Sequence, residues 1–156
     1  MSGDSGTKNI TRNRKAFHDY FVTETWEAGI MLVGSEVKSL REGKINLGDA
    51  FGRFERGELW LYKAHISPYT QANKQNHEPE RVRKLLLHKR ELHRMQGKAQ
   101  EAGYTLIPLS MYFKDGRVKV ELGLCKGKKL YDKREDLRKK DHAREMDRAR
   151  RDFNQR

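Results

Sequence analysis

Cysteine, proline and long apolar runs are all scarce in this 156-residue sequence. The single cysteine, Cys125, excludes an intramolecular disulfide and a metal site built on paired cysteines, so we expect it to be a small buried strand residue. No stretch approaches the roughly 18 apolar residues that span a bilayer, and the first residues form no hydrophobic signal region. These features predict a cytoplasmic protein without a membrane partner.

Sequence motifs of metal and nucleotide chemistry are absent as well. The six histidines show no HExxH-like spacing, and the sequence contains no P-loop, GxSxG or dinucleotide-binding glycine pattern. We therefore expect no metal, no cofactor and no small-molecule substrate. A small metal-independent ribonuclease that uses His18 or His77 with a nearby carboxylate stays open, because such residues converge only in the fold.

Positive charge is the main feature of the composition. The chain has 34 Lys and Arg residues against 22 acidic ones, a net charge of +12, and its mean hydropathy is −1.00. Coulomb attraction and counterion release then favour a polyanionic partner. Nucleic acid and an anionic membrane both satisfy this condition, but a membrane-surface helix needs a broader apolar face than this chain's C-terminal residues offer.

Apolar residues spaced two apart predict several strands. The first has the apolar face Trp26, Ala28, Ile30 and Leu32. A hairpin across Arg56-Gly57 would join strands around Phe51 and Trp60, the second with the apolar face Trp60, Tyr62, Ala64 and Ile66. The clearest hairpin turns at Asp115-Gly116, between the faces Ile107, Leu109, Met111, Phe113 and Val118, Val120, Leu122, Leu124. Pro108 lacks an N–H and indicates an edge or a bulge.

Two short helices are predicted between these strands. Ser35 is expected to cap a helix that stops at Gly43. A second helix has its apolar residues at helical spacing and ends at Gly103, these residues being Leu92, Met95, Ala99 and Ala102. Residues 67–83 show no apolar period and are predicted to form a loop.

The fold class that follows is mainly β with short helices. About six short strands in some 115 residues fit an OB-like closed antiparallel β-barrel, which removes exposed strand edges by closure. We divide the chain into a disordered N terminus, a barrel and a basic tail, at residues 1–11, 12–125 and 126–156.

The tail, residues 126–156, carries 13 basic and 7 acidic residues. Asp132 and Glu135 resemble a capping box, and acidic residues precede basic ones at i,i+4 spacing, so the local pattern favours a helix. Isolated helices of this length are marginal in water. We therefore expect the tail to be disordered when free and helical when bound, the alternative being a solvated charged extension.

Six short runs of residues together resemble the sequences of one known protein family. They are Asn13–Ala16, His18–Tyr20, Glu27–Ile30, Glu36–Arg41, Arg83–Leu87 and Lys126–Arg134. In this order they closely resemble the SmpB family, the SsrA-binding proteins that are partners of transfer-messenger RNA (tmRNA) in bacterial trans-translation. The resemblance covers roughly Asn13 to Arg138.

The family resemblance implies a division of labour. An OB-like barrel grips the tRNA-like domain of tmRNA, while the tail enters the decoding site and the empty mRNA channel of the small subunit of a stalled ribosome, in place of an anticodon arm. The tail would thus be helical on the ribosome. Elongation factor Tu is a further candidate component of the delivered complex.

The resemblance also marks candidate site residues. Asn13, Glu27, Leu86 and Lys119 match family positions linked to RNA binding, although Asn13 could only cap a turn, Lys119 could be solvated surface and Leu86 could be core. The other RNA-binding candidates are Arg14, Lys15, Lys38, Asn73, Asn76, His77 and Lys84. The tail candidates for the decoding site are Lys126, Gly127, Lys128, Lys129, Asp132, Lys133 and Arg134.

The leading hypothesis from the sequence is therefore a non-enzymatic RNA-binding adaptor of trans-translation. Two alternatives remain: a permanent ribosomal protein with a basic extension, and the small ribonuclease.

Overall fold

The computed structural model describes residues 6–71, 76–101, 103–128 and 130–154, with the backbone alone for 130–133 and 152–154. The chain divides into two compact units, Met1–Lys126 and Gly127–Arg156. The second unit contains one helix, Leu130–Asn154.

The first unit alternates short helices with strands. Its strands are β1 Thr7–Arg12, β2 Tyr20–Ile30, β3 Ile45–Asn46, β4 Phe51–Glu55, β5 Glu58–Tyr62, β6 His65–Ile66, β7 Arg83–Leu86, β8 Tyr104–Lys114 and β9 Arg117–Gly127. Its helices are α1 Arg14–Asp19, α2 Gly34–Arg41 and α3 Lys89–Ala99, and the helix of the second unit is α4. Among the helices that the structure describes, none has the length and apolar content that crossing a bilayer requires.

Six of the strands form a closed ring, in the order β8-β4-β5-β7-β2-β9, and β9 pairs again with β8. Every described pairing is antiparallel. β1 joins the ring from outside by pairing with the far end of β8. The prediction of a mainly β fold with about six barrel strands and short helices is confirmed.

Both predicted hairpin turns are present. The residue pairs Arg56-Gly57 and Asp115-Gly116 all have positive φ, between 51° and 77°. Two successive positive φ values are typical of the tight turns that match the twist of paired strands, and glycine adopts them without a steric penalty.

Two of the predicted apolar faces are wrong, each because the alternation is interrupted. In β8 a bulge between Pro108 and Ser110 shifts the register, so Ile107 and Leu109 pack with Cys125 while Met111 packs in the main core. In β5 the buried residues are Leu59 and Leu61 and not Trp60 and Tyr62. Lys63, with φ 58°, reverses the face before Ala64 and Ile66.

The remaining apolar faces lie in the core as predicted. The strand residues Trp26, Ala28 and Ile30 are buried, as are Val120, Leu122 and Leu124 of β9. Met95 attaches α3 to the same core. Cys125 is completely buried, which confirms the prediction, and burial raises the pKa of its thiol to about 11.

A buried ionic cluster connects α2 with the start of β7. Glu36 and Arg83 are both fully buried and form an ion pair, and Arg81 donates from Nη2 to the same carboxylate at 2.6 Å. Arg83 also donates to the carbonyl oxygen of Ala64 at 2.8 Å and to that of Pro79 at 3.1 Å. The end of the 67–83 loop is therefore held to the barrel by charge-assisted hydrogen bonds, and Arg83 itself belongs to β7.

Two local predictions need correction, and a third is not tested. The cap of α2 is Val33, whose N–H donates to Glu36 Oε1 at 2.8 Å, and Ser35 instead pairs with His77. Part of the N terminus, predicted to be disordered over 1–11, belongs to β1, because β8 extends far enough to pair with it. Ala102, predicted in the second helix, lies outside the described residues.

Candidate RNA interface

A groove of about 770 Å³ lies on the outer surface of the barrel between β2, β7, β9 and the start of α3. Three RNA-binding candidates, Glu27, Leu86 and Lys119, line this one groove. Its remaining lining residues are Gly29, Ile30, Leu32, Val37, Leu87, His88, Glu91, Gly116, Arg117 and Val118. We call it the β2–β9 groove.

Glu27 is held at the groove as an oriented carboxylate. The Tyr112 hydroxyl donates to Glu27 Oε2 at 2.5 Å, and Lys114 Nζ lies 3.3 Å from Oε1. The Tyr112 hydrogen bond outweighs the effect of burial and, with Lys114 and the charge of Lys119, lowers the pKa of Glu27. Burial and the Glu27 carboxylate together raise the pKa of Tyr112. Glu27 is thus a fixed, ionised acceptor, suited to base amines and 2′-hydroxyl groups.

Leu86 lies on the surface of the groove and is not a core residue. Its side chain is 46% exposed, whereas its neighbour Leu85 is 2% exposed and packs inside the barrel. Successive strand residues point to opposite faces, so β7 presents Leu86 and Lys84 outwards. An exposed leucine beside an acceptor and a cation gives the groove an apolar surface against which a base can pack.

The far wall of the groove is basic. Lys119 and Arg117 continue from it into an adjoining hollow of about 420 Å³, whose other lining residues are Glu27, Lys114 and Asp115. Three cations against two carboxylates make this wall suitable for phosphate.

Asn13 lies apart from the lining of the groove. It is only 4% exposed; its Oδ1 accepts from Ala16 N at 3.1 Å, and its Nδ2 donates to the carbonyl oxygens of Leu47 and Pro108 at 3.1 and 2.9 Å. These bonds cap α1 and attach it to the β8 bulge. The neighbouring Lys15 is exposed and pairs with Asp49 at 3.2 Å, and Arg14 is exposed beside it.

Three further candidates gather around the 67–83 loop, apart from the groove lining. Lys38 Nζ lies 5.6 Å from the ring centre of Tyr69. Asn76 exchanges hydrogen bonds with the backbone of Tyr69, at 3.0 and 2.7 Å. His77 is buried, with Nδ1 paired to Ser35 Oγ and Nε2 to the Ile66 carbonyl oxygen, both at 2.8 Å. Asn76 and His77 thus shape the loop with their own polar atoms.

The other candidates are placed as follows. Lys84 Nζ pairs with Glu58 at 2.9 Å. In the tail, Lys126 and Gly127 are exposed at the end of β9, and Lys128 pairs with Asp136, whose pKa this hydrogen bond lowers. Asp132, Lys133 and Arg134 fall within α4, and Arg134 is exposed. Asn73 and Lys129 lie outside the described residues, as do the side chains of Asp132 and Lys133.

Sequence reasoning missed Tyr112, Lys114 and the Glu36 cluster. Tyr112 and Lys114 occupy outward positions of β8, and a tyrosine two residues before a lysine on the outward face of the strand was the available signal. Arg83 lies two residues before the buried Leu85, so the same strand period places it inside the barrel. A buried arginine requires a carboxylate partner, but the sequence does not show that the partner is Glu36.

Comparison with known proteins agrees with this architecture. The family model described as "SmpB protein" matches residues 10–152. The chain belongs to the SmpB family. The match begins within β1 and runs into the last turns of α4, so it includes the groove residues and most of the tail.

Several similar proteins are SsrA-binding proteins. The one from Carboxydothermus hydrogenoformans is 61% identical over 142 residues, which are 91% of this chain and 95% of that protein. The one from Geobacter sulfurreducens is 57% identical over 144 residues, 92% of this chain and 94% of that protein. A solved structure described as "tmRNA-SmpB: a journey to the center of the bacterial ribosome" contains a chain that is 53% identical, with a TM-score of 0.67, covering 77% of this chain and 85% of that one.

Proposed function

We propose that this protein binds the tRNA-like domain of tmRNA with its barrel and delivers that RNA to stalled ribosomes. The observation that carries the proposal is the convergence of Glu27, Leu86 and Lys119 on one groove. A fixed acceptor, an apolar surface and a cation suit the base edges, the base faces and the phosphates of unpaired RNA, respectively. The membership of the SmpB family and the relatives named SsrA-binding proteins support the choice of RNA.

The tail acts after RNA binding, in the decoding site and the empty mRNA channel of the small subunit. α4 has 25 residues and would extend about 38 Å at 1.5 Å per residue. Its described side chains are almost all exposed, so it offers a long, basic surface to ribosomal RNA. The residues proposed to act there are Lys126, Gly127, Lys128, Lys129, Asp132, Lys133 and Arg134. The protein then works in the cytoplasm, with elongation factor Tu in the delivered complex.

Within the barrel, Asn13 and His77 act as positioning residues. The polar atoms of both side chains are occupied by protein partners, so they hold α1 and the 67–83 loop in place. The exposed cations Arg14, Lys15 and Lys38 are then available for phosphate, together with Lys84 beside the groove.

Truncation after Gly127, where β9 ends, tests the division of labour. The truncated protein should bind the tRNA-like RNA as the full chain does but fail to support peptide tagging in a reconstituted stalled ribosome. A control variant truncated after Asn154 should retain both activities. Tagging by the protein that lacks α4 would contradict the proposal.

The alternative of a permanent ribosomal protein predicts equal stoichiometry on all ribosomes. Quantitative immunoblotting of gradient fractions should instead show enrichment on ribosomes stalled at the end of a truncated mRNA. The ribonuclease alternative is weakened by His77, both ring nitrogens of which are engaged in a buried site. Prolonged incubation should leave bound RNA intact, and cleavage lost in a His18→Ala variant would contradict an adaptor role.

A further inference from the structure

The outward face of α3 is strongly basic and has a glycine at its centre. Met95, Leu92 and Ala99 pack against the barrel core. At 100° per residue, Gly97 lies opposite these three residues, with Arg90, His93 and Arg94 around it. All four of these residues are exposed, as is Lys89 at the start of the helix.

The fold gives no reason for a glycine at position 97. A Cβ built there would meet nothing within 4 Å, and the residue has no positive φ. Glycine in the interior of a helix is less favourable than alanine, because it loses more backbone freedom on folding. A helix position without a side chain is required where another backbone approaches the helix closely.

The cations around Gly97 are available to a partner. Within the described residues no ion pair involves Lys89 or Arg90, and Arg94 has one, to Glu24 at 3.1 Å. Glu91 is the only acidic residue of α3, and it faces the β2–β9 groove. Electrostatic complementarity therefore indicates an anionic backbone as the partner.

The α3 face continues the β2–β9 groove. Leu87, His88 and Glu91, which belong to the entry and first turn of α3, line that groove. An RNA bound in the groove therefore lies next to the first turn of α3, from which the outward face of the helix continues.

We propose that the outward face of α3 binds the phosphodiester backbone of the RNA held in the groove, with Gly97 as the point of closest approach and Arg90, His93 and Arg94 around it. This inference rests on the proposed function and takes the tRNA-like domain of tmRNA as the RNA. Its sugar-phosphate backbone lies against Gly97, where any side chain would push it away from the cations.

The test uses the full chain and a transcript of the tRNA-like domain, with an elongator tRNA as the comparison RNA. Gly97→Ala should raise the Tm by about 3 °C, because alanine is the better helix former. The same change should raise the Kd for the tmRNA transcript by about fivefold or more, and Gly97→Gln should raise it further. The matched control is Gly34→Ala, a second helical glycine with open space around it, which should leave the Kd unchanged.

Salt dependence tests the phosphate contact itself. Arg90→Gln should reduce the slope of log Kd against log salt by about 0.9, the value for one phosphate contact on a duplex. Arg53→Gln, an exposed arginine on β4, should leave the slope unchanged.

The outcomes separate this inference from the proposed function. If the wild type does not prefer the tmRNA transcript, the proposed function fails and this inference fails with it. If the wild type prefers it and Leu86→Ala weakens binding, while Gly97→Ala and Gly97→Gln bind as tightly as the wild type, only the α3 inference is overturned. A Gly97→Ala variant that has a higher Tm and binds the tmRNA transcript more weakly than the wild type supports the α3 inference.

Discussion

Replacement of Glu36 by glutamine should destabilise the barrel more than any other removal of one carboxylate charge. The change keeps the size of the side chain but leaves the fully buried Arg83 without its counter-charge. Removing one partner of a buried ion pair costs about 3–5 kcal/mol. For a domain of this size the loss corresponds to about 10–20 °C in Tm. Urea and thermal unfolding, followed by circular dichroism, measure both quantities.

The pH dependence of stability gives a second measurement of the same cluster. Burial alone would raise the pKa of Glu36, but hydrogen bonds from Arg81, the Val33 N–H and Arg83 outweigh it and lower the pKa. A carboxyl group with a lowered pKa in the folded state stabilises above its unfolded pKa, and this contribution is lost as the pH falls through the folded value. The free energy of unfolding of the wild type should therefore fall below about pH 4.5, and Glu36→Gln should flatten that fall.

The control is Glu42→Gln, which removes a carboxylate at the end of the same helix. Glu42 is half exposed and pairs with Lys44 at 3.1 Å, so its replacement should cost no more than about 0.5 kcal/mol. The free energy of unfolding of Glu36→Gln could instead lie within about 1 kcal/mol of the wild-type value, roughly the size of an exposed-pair effect, and show the same pH dependence. In that case the Glu36 cluster is not what holds the loop.

Three further predictions concern the groove and the tail. Leu86→Ala should change the free energy of unfolding by less than about 1 kcal/mol but weaken RNA binding about tenfold, while Leu85→Ala should cost about 2–5 kcal/mol; equal unfolding losses would refute the assignment of Leu86 to the surface. Tyr112→Phe removes the main hydrogen bond that lowers the pKa of Glu27, so Glu27 should be protonated at a higher pH in this variant. When the Kd is measured over a series of decreasing pH values, RNA affinity should therefore begin to fall at a higher pH than in the wild type. A peptide of residues 126–156 should show weak helicity by circular dichroism, since acid-base pairs add only about 0.2–0.5 kcal/mol each, and a fully formed helix in buffer would refute conditional folding.

The sequence predicted the fold wherever local signals were uninterrupted. The β9 residues Val118 to Leu124 alternate without a break, and their turn at Asp115-Gly116 accepts only residues that tolerate positive φ. The faces of β5 and β8 were mispredicted because one residue breaks the period of two in each case, Leu109 within β8 and Lys63 directly after β5. Pro108 indicated an edge or a bulge at this point of β8, and a bulge is present there. The change of face that follows it was missed, because it depends on how β8 pairs with other strands.

The groove could be predicted only in part. Family resemblance marked Glu27, Leu86 and Lys119 as candidates for an RNA site, but it did not separate side chains that are open to a ligand from side chains that support the fold. His77 and Asn13 look like RNA ligands in the sequence, whereas their polar atoms are used within the protein. Such long-range partners, up to 95 residues apart for Asn13 and Pro108, have no local signal.

Ring closure also sets the order in which a nascent chain can finish folding. β2 pairs with β9, and a hydrogen bond from Thr23 to the Leu124 carbonyl spans 101 residues. Until β9 has left the ribosome, β2 and β8 expose edges that only β9 can cover. Because β9 is the last strand of the barrel, the ring completes its hydrogen bonding only after nearly all of the barrel's sequence has been synthesised. Non-local pairing of this kind also slows folding, to about milliseconds or longer in β-rich domains.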